Sequence, residues 1–350
     1  MRIDFHRHLE GSHSARALVQ VARRFSLQDP LFWDAGHQRY LSEDELGPKL
    51  VMQGEPGDAG AFYAAIEVAR RAYVSVEAVG ALAYESFLDA LSEVDGLEMR
   101  ASLFSMTRTL LGKEWRQTTP LIFAERARAV LLTVLEARDR ASAETGKPAL
   151  LRVGFSRTFE SAPHYRAMAD MLVEHAPRLC GLDVLGILPV GDREPLVPEL
   201  VEILEGLRRS LPDLTIHAGE LEDHHSVERA LGLSPRGIGH GVRSLGSTST
   251  LQHLADSGVT LEVCPSSNLL LIPEEISRLR GLHGGAHPLC ALQSHAVHAV
   301  LGSDDPVPMC TSFPNEEAIM DAEGVDRERL AADVARRWAE LGGPALSGGA

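Results

Sequence analysis

Residues 3–8 read IDFHRH, a short apolar run that ends in two histidines one residue apart. Seven similar runs follow at intervals, at residues 97–104, 150–155, 180–184, 214–216, 237–240, 259–264 and 297–302. Longer stretches with helical periodicity separate them, so the sequence predicts strands that alternate with helices, as in a parallel sheet. Eight such units in one chain predict a closed α/β barrel of the (β/α)8 (TIM barrel) type.

The segments between these runs differ in character. Apolar residues three and four apart predict helices over residues 59–91, 125–144, 199–209, 226–231, 249–257 and 326–341. Residues 26–58 are rich in Gly, Asp, Pro and aromatic residues, and we expect an insertion after the first strand that covers the site as a lid. Residues 342–350 are rich in Gly and Ser and predict a frayed tail. We find no linker or repeat, which indicates a single barrel domain over residues 1–350.

Composition narrows the class of protein. The chain has 350 residues, of which 44% are hydrophobic, enough to fill a sizeable core. A formal net charge of -15 argues against nucleic acids and anionic membranes as partners, because their phosphates would be repelled. The first residues do not resemble a signal peptide, and the four cysteines are far apart, as in reduced cytosolic proteins. We therefore expect a cytoplasmic protein that binds a small molecule. Its oligomeric state stays open.

Polar side chains fall where four of the predicted strands end, and in a barrel these ends share the face that holds the active site. They are His6 and His8, His217 and Glu220, His240, and Asp304 with Asp305. Alternate residues of a strand point to the same side, so His6 and His8 face the barrel mouth together. By itself, a pair of histidines spaced in this way is more often two surface residues than a metal site.

The complete set favours a metal site. Three histidine nitrogens and one carboxylate can hold a zinc ion and leave a position for water, whose pKa the metal lowers towards neutrality. A nearby carboxyl group can then move protons, and a further histidine can hold or deprotonate the water. The sequence places each of these residue types at a strand end.

Five segments resemble the signatures of the adenosine and adenine deaminase family, within the amidohydrolase superfamily. They are HRHLEGS (6–12), HAGE (217–220), GIGHGVRS (237–244), EVCPSSN (262–268) and SDDP (303–306), in the order and with spacing like that of the family. The resemblance implies one zinc ion per chain, bound by His6, His8, His217 and Asp304. It also implies that Glu220 protonates the ring nitrogen beside the attacked carbon. His240 would orient and stabilise the metal-bound hydroxide, and Asp305 would share that task and contact the ring.

The resemblance implies a 6-aminopurine base or nucleoside as substrate but leaves the substituent open. Adenosine-specific members usually carry aspartate where this chain has Glu10, and glutamate is expected in adenine deaminases and in divergent branches such as aminodeoxyfutalosine deaminases. The serine pair and glutamate that adenine deaminases carry after Asp183 are absent. Gly186 resembles the glycine whose backbone N–H meets a ring nitrogen, and Gly191 is a rival for that role. Adenosine, adenine, an N6-substituted adenine and aminodeoxyfutalosine all remain possible substrates.

Two other classes compete with a deaminase. One is another mononuclear amidohydrolase, and residues 180–186 (CGLDVLG) contain no lysine to bridge two metals, which favours a single ion. The other is a non-catalytic binding protein, which we would expect to have lost a ligand or Glu220. A site of three histidines and one aspartate also accepts divalent transition metals other than zinc. Arg100, Ser102 and Arg157 lie at or near strand ends and are interpreted as structural or rim residues.

Overall fold

Eight parallel strands form the main sheet in a computed structural model that describes residues 1–188 and 191–345, and two further strands form a separate antiparallel hairpin. The strands are β1 (Ile3–His8), β2 (Trp33–Asp34), β3 (Arg39–Tyr40), β4 (Gly96–Ala101), β5 (Ala149–Ser156), β6 (Gly181–Leu185), β7 (Leu214–Ala218), β8 (Gly237–His240), β9 (Thr260–Val263) and β10 (His298–Leu301). The main sheet runs β1-β4-β5-β6-β7-β8-β9-β10, so each strand pairs with its neighbour in sequence. This order confirms the predicted (β/α)8 barrel.

Helices connect the strands and cover the outside of the barrel. They are α1 (Ala15–Arg24), α2 (Glu43–Leu50), α3 (Ala59–Arg70), α4 (Val76–Glu93), α5 (Leu103–Leu111), α6 (Pro120–Thr145), α7 (Ala162–His175), α8 (Pro198–Leu207), α9 (His224–Leu231), α10 (Thr248–Ser257), α11 (Pro265–Leu271), α12 (Pro273–Leu282), α13 (Pro288–Ser294), α14 (Phe313–Ala322) and α15 (Arg327–Glu340). Every residue of β1, β4 and β6 to β9 is buried, because helices cover one face of these strands and the barrel interior fills the other. In the described part of the chain, no helix has both the length and the apolar character needed to cross a bilayer.

The barrel closes between β1 and the segment that follows β10. The His8 N–H donates to the Asp304 carbonyl at 2.8 Å, and the Asp304 N–H donates to the His6 carbonyl at 2.6 Å. A Cβ on Gly302 would lie 2.2 Å from the Cβ of His6, so only glycine allows the two segments to approach this closely. Backbone hydrogen bonds therefore hold the residues on both sides of this seam in register.

Each of the eight predicted runs overlaps one barrel strand, and the largest differences from the predicted elements occur at two places. The second run was predicted to reach residue 104, but β4 ends at Ala101 and α5 begins at Leu103. Residues 59–91 form two helices, α3 and α4, instead of one. The break occurs because Ser75 accepts a hydrogen bond from the Ala78 N–H and starts a new helix. The helical pattern alone does not reveal this cap.

The two segments that did not fit a minimal barrel have different outcomes. Residues 26–58 contain the β2–β3 hairpin and α2, and their role as a lid stays a prediction. The side chains that reach the barrel mouth belong to the next helix, α3. In the predicted tail, Pro344 accepts a hydrogen bond from the Trp338 indole at 2.9 Å, so the tail begins packed against α15. Residues 346–350 lie outside the described residues.

Candidate metal centre and active site

Imidazole rings from β1, β7 and β8 meet at the C-terminal mouth of the barrel. His6 and His8 project from β1 with ring centroids 5.2 Å apart, and the His6 ring lies 4.6 Å from that of His217 on β7. The Nε2 atoms of His8 and His217 are 3.2 Å apart. Asp304 Oδ1 lies 3.6 Å from His6 Nε2 and 3.3 Å from His8 Nε2. The four residues predicted as ligands are therefore brought together.

His240, at the end of β8, lies beside the same cluster. One ligand atom each from His6, His217, His240 and Asp304 fall within 4.8 Å of one another. Among the described residues, the buried Nε2 atoms of His6 and His240 have no hydrogen-bond partner. Leaving such atoms unpaired is costly, and nitrogen atoms that converge on one point with a carboxylate are the donor set of a zinc site. The residues present therefore fit a divalent metal ion.

Protonation states also suit a cation. Burial lowers the pKa of His8 well below its usual range, so the ring is neutral and has a lone pair available. Burial alone would raise the pKa of Asp304. The nearby imidazoles of His6, whose Nε2 lies 3.6 Å away, and of His240 and His8 hold that pKa well below its usual range. A neutral imidazole and an ionised carboxylate are the forms that bind a metal.

Two buried carboxylates support the ring nitrogens that face away from the cluster. Glu262 Oε2 lies 3.1 Å from His6 Nδ1, and Asp183 Oδ1 lies 3.1 Å from His217 Nδ1. A proton on each Nδ1 leaves the lone pair of Nε2 free for a metal and fixes the orientation of the ring. Glu262 and Asp183 therefore have the position of the outer-sphere carboxylates that orient the ligating histidines of zinc sites.

Arg100 joins these two carboxylates from behind. Its guanidinium donates to Asp183 at 3.2 Å and to Glu262 at 2.9 Å, and all three side chains are fully buried. Burial alone would raise the pKa of Glu262, but Arg100, His6 and Arg337 hold it well below its usual range. Arg100 lies behind the four ligand candidates and does not line the pocket. This position agrees with its interpretation as a structural residue.

Neither Glu262 nor Asp183 was predicted as a site residue, although each stands out as an acidic residue in a predicted strand. Each is a single acidic residue inside an otherwise apolar strand, β9 for Glu262 and β6 for Asp183. A charge at such a position must be paired in the interior. Which partner it finds cannot be read from the strand alone.

The side chains of the two adjacent aspartates point in different directions. Asp304 faces the imidazoles with a backbone φ of +60°, whereas Asp305 turns towards Gly11, where an added Cβ would lie 1.8 Å from its Oδ1. Burial and the neighbouring carboxylates of Asp304 and Glu10 raise the pKa of Asp305 well above its usual range. Within the described chain, Asp305 Oδ1 is buried against Gly11 without a hydrogen-bond partner, and the residue also lines the pocket above the imidazoles.

A pocket opens directly above the cluster and contains most of the predicted site residues. Its lining includes His8, Glu10, Gly186, Glu220 and Asp305, together with side chains of α3. Glu10 Oε1 accepts the Ser102 N–H at 3.1 Å, and its Oε2 has no hydrogen-bond partner among the described atoms. Gly191 is exposed in the loop after β6, so the geometry favours Gly186 as the ring contact.

A larger side chamber of about 460 Å³ adjoins this pocket. The two cavities share Tyr63 and Arg70 of α3, and also Ser102, Leu185 and Gly186. Sequence reasoning did not identify the contribution of α3, because its lining residues lie on an ordinary amphipathic helix. Ser102, interpreted from the sequence as a rim or structural residue, lines both cavities.

Comparison with known proteins agrees with this geometry. The family model described as adenosine deaminase matches residues 2–337. The chain belongs to the adenosine deaminase family. An adenine deaminase of Mesorhizobium japonicum is 35% identical over 161 residues, which is 46% of each chain. An adenosine deaminase of Vibrio parahaemolyticus is 24% identical over 332 residues, covering 93% of this chain and 89% of the relative. The chain spans about half the length of the adenine deaminases it matches at higher identity.

One solved structure shares the fold of this protein over nearly the whole chain. It is an amidohydrolase from Burkholderia ambifaria with bound zinc, at a TM-score of 0.67 and 18% identity, covering 99% of this chain and 86% of that one. At this level of identity the match shows the fold alone. Together with the family match, it confirms the resemblance identified from the signature segments.

Proposed function

We propose that the protein is a zinc-dependent hydrolytic deaminase that releases ammonia from a 6-aminopurine ring, with one metal ion per chain. The observation that carries the proposal is the convergence of His6, His8, His217 and Asp304. His240 lies beside them, and its Nε2 is 3.7 Å from Glu220 Oε2. A proton-transferring carboxylate beside such a donor set is what hydrolytic deamination requires. A bound zinc ion would lower the pKa of water towards neutrality and supply a hydroxide nucleophile.

The chain's own residues would perform the proton transfers. Glu220 would deliver a proton to the ring nitrogen beside the amino-bearing carbon, which removes aromatic resistance to attack. Asn268 Nδ2 lies 3.2 Å from His240 Nδ1, and an amide donor at this point leaves the imidazole proton on Nε2. This supports His240 as a hydrogen-bond donor to the nucleophile, with His8 as the third histidine ligand. Asp305 and the Gly186 N–H would hold the ring.

The side chamber supports a substrate larger than the free base. Cavities of about 300–1,000 Å³ are typical for small-molecule ligands, and this chamber of about 460 Å³ lies in addition to the pocket above the metal cluster. The rings of Tyr63, Phe104 and Tyr165 line it. We propose that it receives the substituent of the purine, as in a nucleoside. Free adenine is the second candidate, favoured by Glu10 and by the adenine deaminase among the relatives.

Ammonia release from the zinc-loaded protein tests both levels of the proposal. The panel contains adenosine, 2′-deoxyadenosine, adenine and aminodeoxyfutalosine, with cytosine as a negative control. N6-substituted adenines are followed by release of their amine, because hydrolysis of the substituted C6–N bond gives that amine and not ammonia. We expect a kcat/KM at least tenfold higher for one substituted compound than for adenine. Faster turnover of adenine would contradict the role of the chamber, and no turnover of any purine with zinc bound would contradict the deaminase itself.

The role of Glu220 has its own test. Glu220→Gln should bind zinc in the wild-type ratio but reduce kcat by about 10²–10⁴-fold, the usual contribution of a general acid or base. Near-normal turnover by this variant would refute the assignment.

The net charge of -15 supports a small-molecule partner over a nucleic acid, and a cytoplasmic location stays a prediction.

A further inference from the structure

One buried carboxylate accepts hydrogen bonds from four successive backbone N–H groups in the loop that carries Glu220. Glu194 Oε2 accepts from Gly219 at 2.8 Å, and its Oε1 accepts from Glu220 at 3.1 Å, Leu221 at 2.7 Å and Glu222 at 3.3 Å. Glu194 is only 2% exposed. It belongs to the loop between β6 and α8, so its side chain joins two neighbouring loops of the barrel mouth. The Arg193 N–H adds a bond between these loops, to Glu222 Oε1 at 3.0 Å.

The loop has few other ways to satisfy these donors. It leaves β7 through Gly219, which has a φ of +64°, so its N–H groups turn away from the strand ladder. Leaving a backbone N–H group without an acceptor in a shielded position is unfavourable. Of these four donors, the Gly219 N–H has a second acceptor, Ser226 Oγ, at 2.7 Å. The conformation of residues 219–222 therefore depends on Glu194.

The carboxylate is kept ionised for this role. Burial alone would raise the pKa of Glu194, but Arg157, Ser226 and the loop N–H groups hold it below its usual range. Arg157 also donates to the carbonyls of Gly186, at 3.0 Å, and of His217. The same small region therefore contacts the candidate ring-binding glycine, a metal-ligand candidate and the loop of the candidate acid.

We propose that Glu194 is a positioning residue that fixes the Glu220 loop and thereby keeps the Glu220 carboxylate beside His240. This inference rests on the proposed function for the role of Glu220. Glu194 does not line the pocket above the metal cluster, so it acts through the loop and not on the substrate.

The proposal predicts a graded effect from two substitutions. Glu194→Ala removes both oxygens that accept these four hydrogen bonds and should lower kcat about 10²-fold, the effect expected when a reacting group is misplaced by about 1 Å. Zinc content and KM should stay within about threefold of wild type. Glu194→Gln keeps an oxygen for residues 220–222, and the Gly219 N–H keeps Ser226, so its loss should be clearly smaller. Glu202→Gln on α8, whose carboxylate pairs with Arg166 at the surface, is the matched control.

A double-mutant cycle separates positioning from general damage. Combined with Glu220→Gln, Glu194→Ala should produce little further loss of kcat, because the group it positions is already inactive. The same fold-loss in both backgrounds would overturn the proposal and indicate a purely structural role. If Glu194→Ala does not fold, Glu194→Gln is carried through the same cycle.

Amide hydrogen exchange gives a readout that does not require activity. We expect Glu194→Ala to accelerate exchange at residues 219–222 at least tenfold and to leave β7 protected, with a smaller effect in Glu194→Gln, whereas unchanged exchange in Glu194→Ala would overturn the proposal. If the wild-type protein deaminates no purine, the proposed function fails while this measurement still tests the loop. If it deaminates a purine and Glu194→Ala has wild-type kcat, only the inference about Glu194 fails.

Discussion

Replacing Glu262 with glutamine isolates the effect of an outer-sphere charge on the metal centre. Glu262 Oε2 accepts from His6 Nδ1 at 3.1 Å and from Arg100 at 2.9 Å, and its Oε1 accepts from Thr215 Oγ1 at 3.2 Å. Glutamine is nearly the same size and can place its oxygen towards His6 and Arg100. The Thr215 hydroxyl can then act as acceptor for the new amide. The substitution therefore removes a charge with little change in packing.

The expected magnitude follows from these contacts. A hydrogen bond to a charged group contributes about 1.5–3 kcal/mol, and one between neutral groups about 0.5–1.5 kcal/mol. The bond to His6 should therefore weaken by about 1–1.5 kcal/mol, which corresponds to about a 5- to 12-fold higher Kd for zinc. Outer-sphere substitutions in zinc sites usually cost about 10–100-fold. Asp183→Asn, which acts in the same way on His217, should give a similar change.

Competition with a chelator of known affinity at neutral pH measures this Kd. The surface variant Glu199→Gln is the control for loss of one negative charge, and the Tm of the metal-free protein shows whether the Glu262 variant remains folded. An unchanged Kd would refute the outer-sphere role of Glu262. A loss as large as that of His6→Ala would also refute the reasoning, because it would mean that glutamine displaces the imidazole itself.

Three further predictions test the ligands, the packing around them and the buried ion pairs. His8→Ala should abolish stoichiometric zinc binding, and full occupancy measured by metal analysis would exclude it as a ligand. Gly239→Ala should raise the zinc Kd and lower the Tm, because its Cβ would lie 2.8 Å from Cε1 of His6. Gly206→Ala on α8 is its control: no described atom lies within 4 Å of the added Cβ, so calorimetry should show an unchanged or higher Tm, in line with about 0.5–1 kcal/mol of stabilisation. Burial alone would raise the pKa of Asp213, but two arginines hold it below its usual range, so its contribution to stability should be complete above about pH 4 and lost as pH falls through the folded-state pKa. Urea unfolding across this range should show the decline in wild type, and an equal slope in Asp213→Asn would contradict it.

Much of the barrel could be predicted because its signals are local. A strand and a helix differ in the spacing of their apolar residues, and this spacing is present within each short segment. The position of the candidate site could also be predicted. Polar residues end β1, β7 and β8, and the C-terminal ends of barrel strands share one face. The breaks that were missed, such as the one at Ser75, depend on a single capping hydrogen bond.

The spacing of apolar and polar residues along the chain is enough to predict the alternation of strands and helices. It also predicts the residue types at the barrel mouth, which are His6, His8, His217, Asp304 and their neighbours. Which buried charges support these residues becomes visible only in the folded molecule. His6 meets Glu262 across 256 residues, and Arg100 meets the same carboxylate across 162. Contacts at such separations depend on closure of the barrel and leave no periodic signal in the chain. The hydrogen bonds of Glu194 and the side chamber beside α3 have the same origin, because each is formed by loops and helices that meet only after the eight strands have closed.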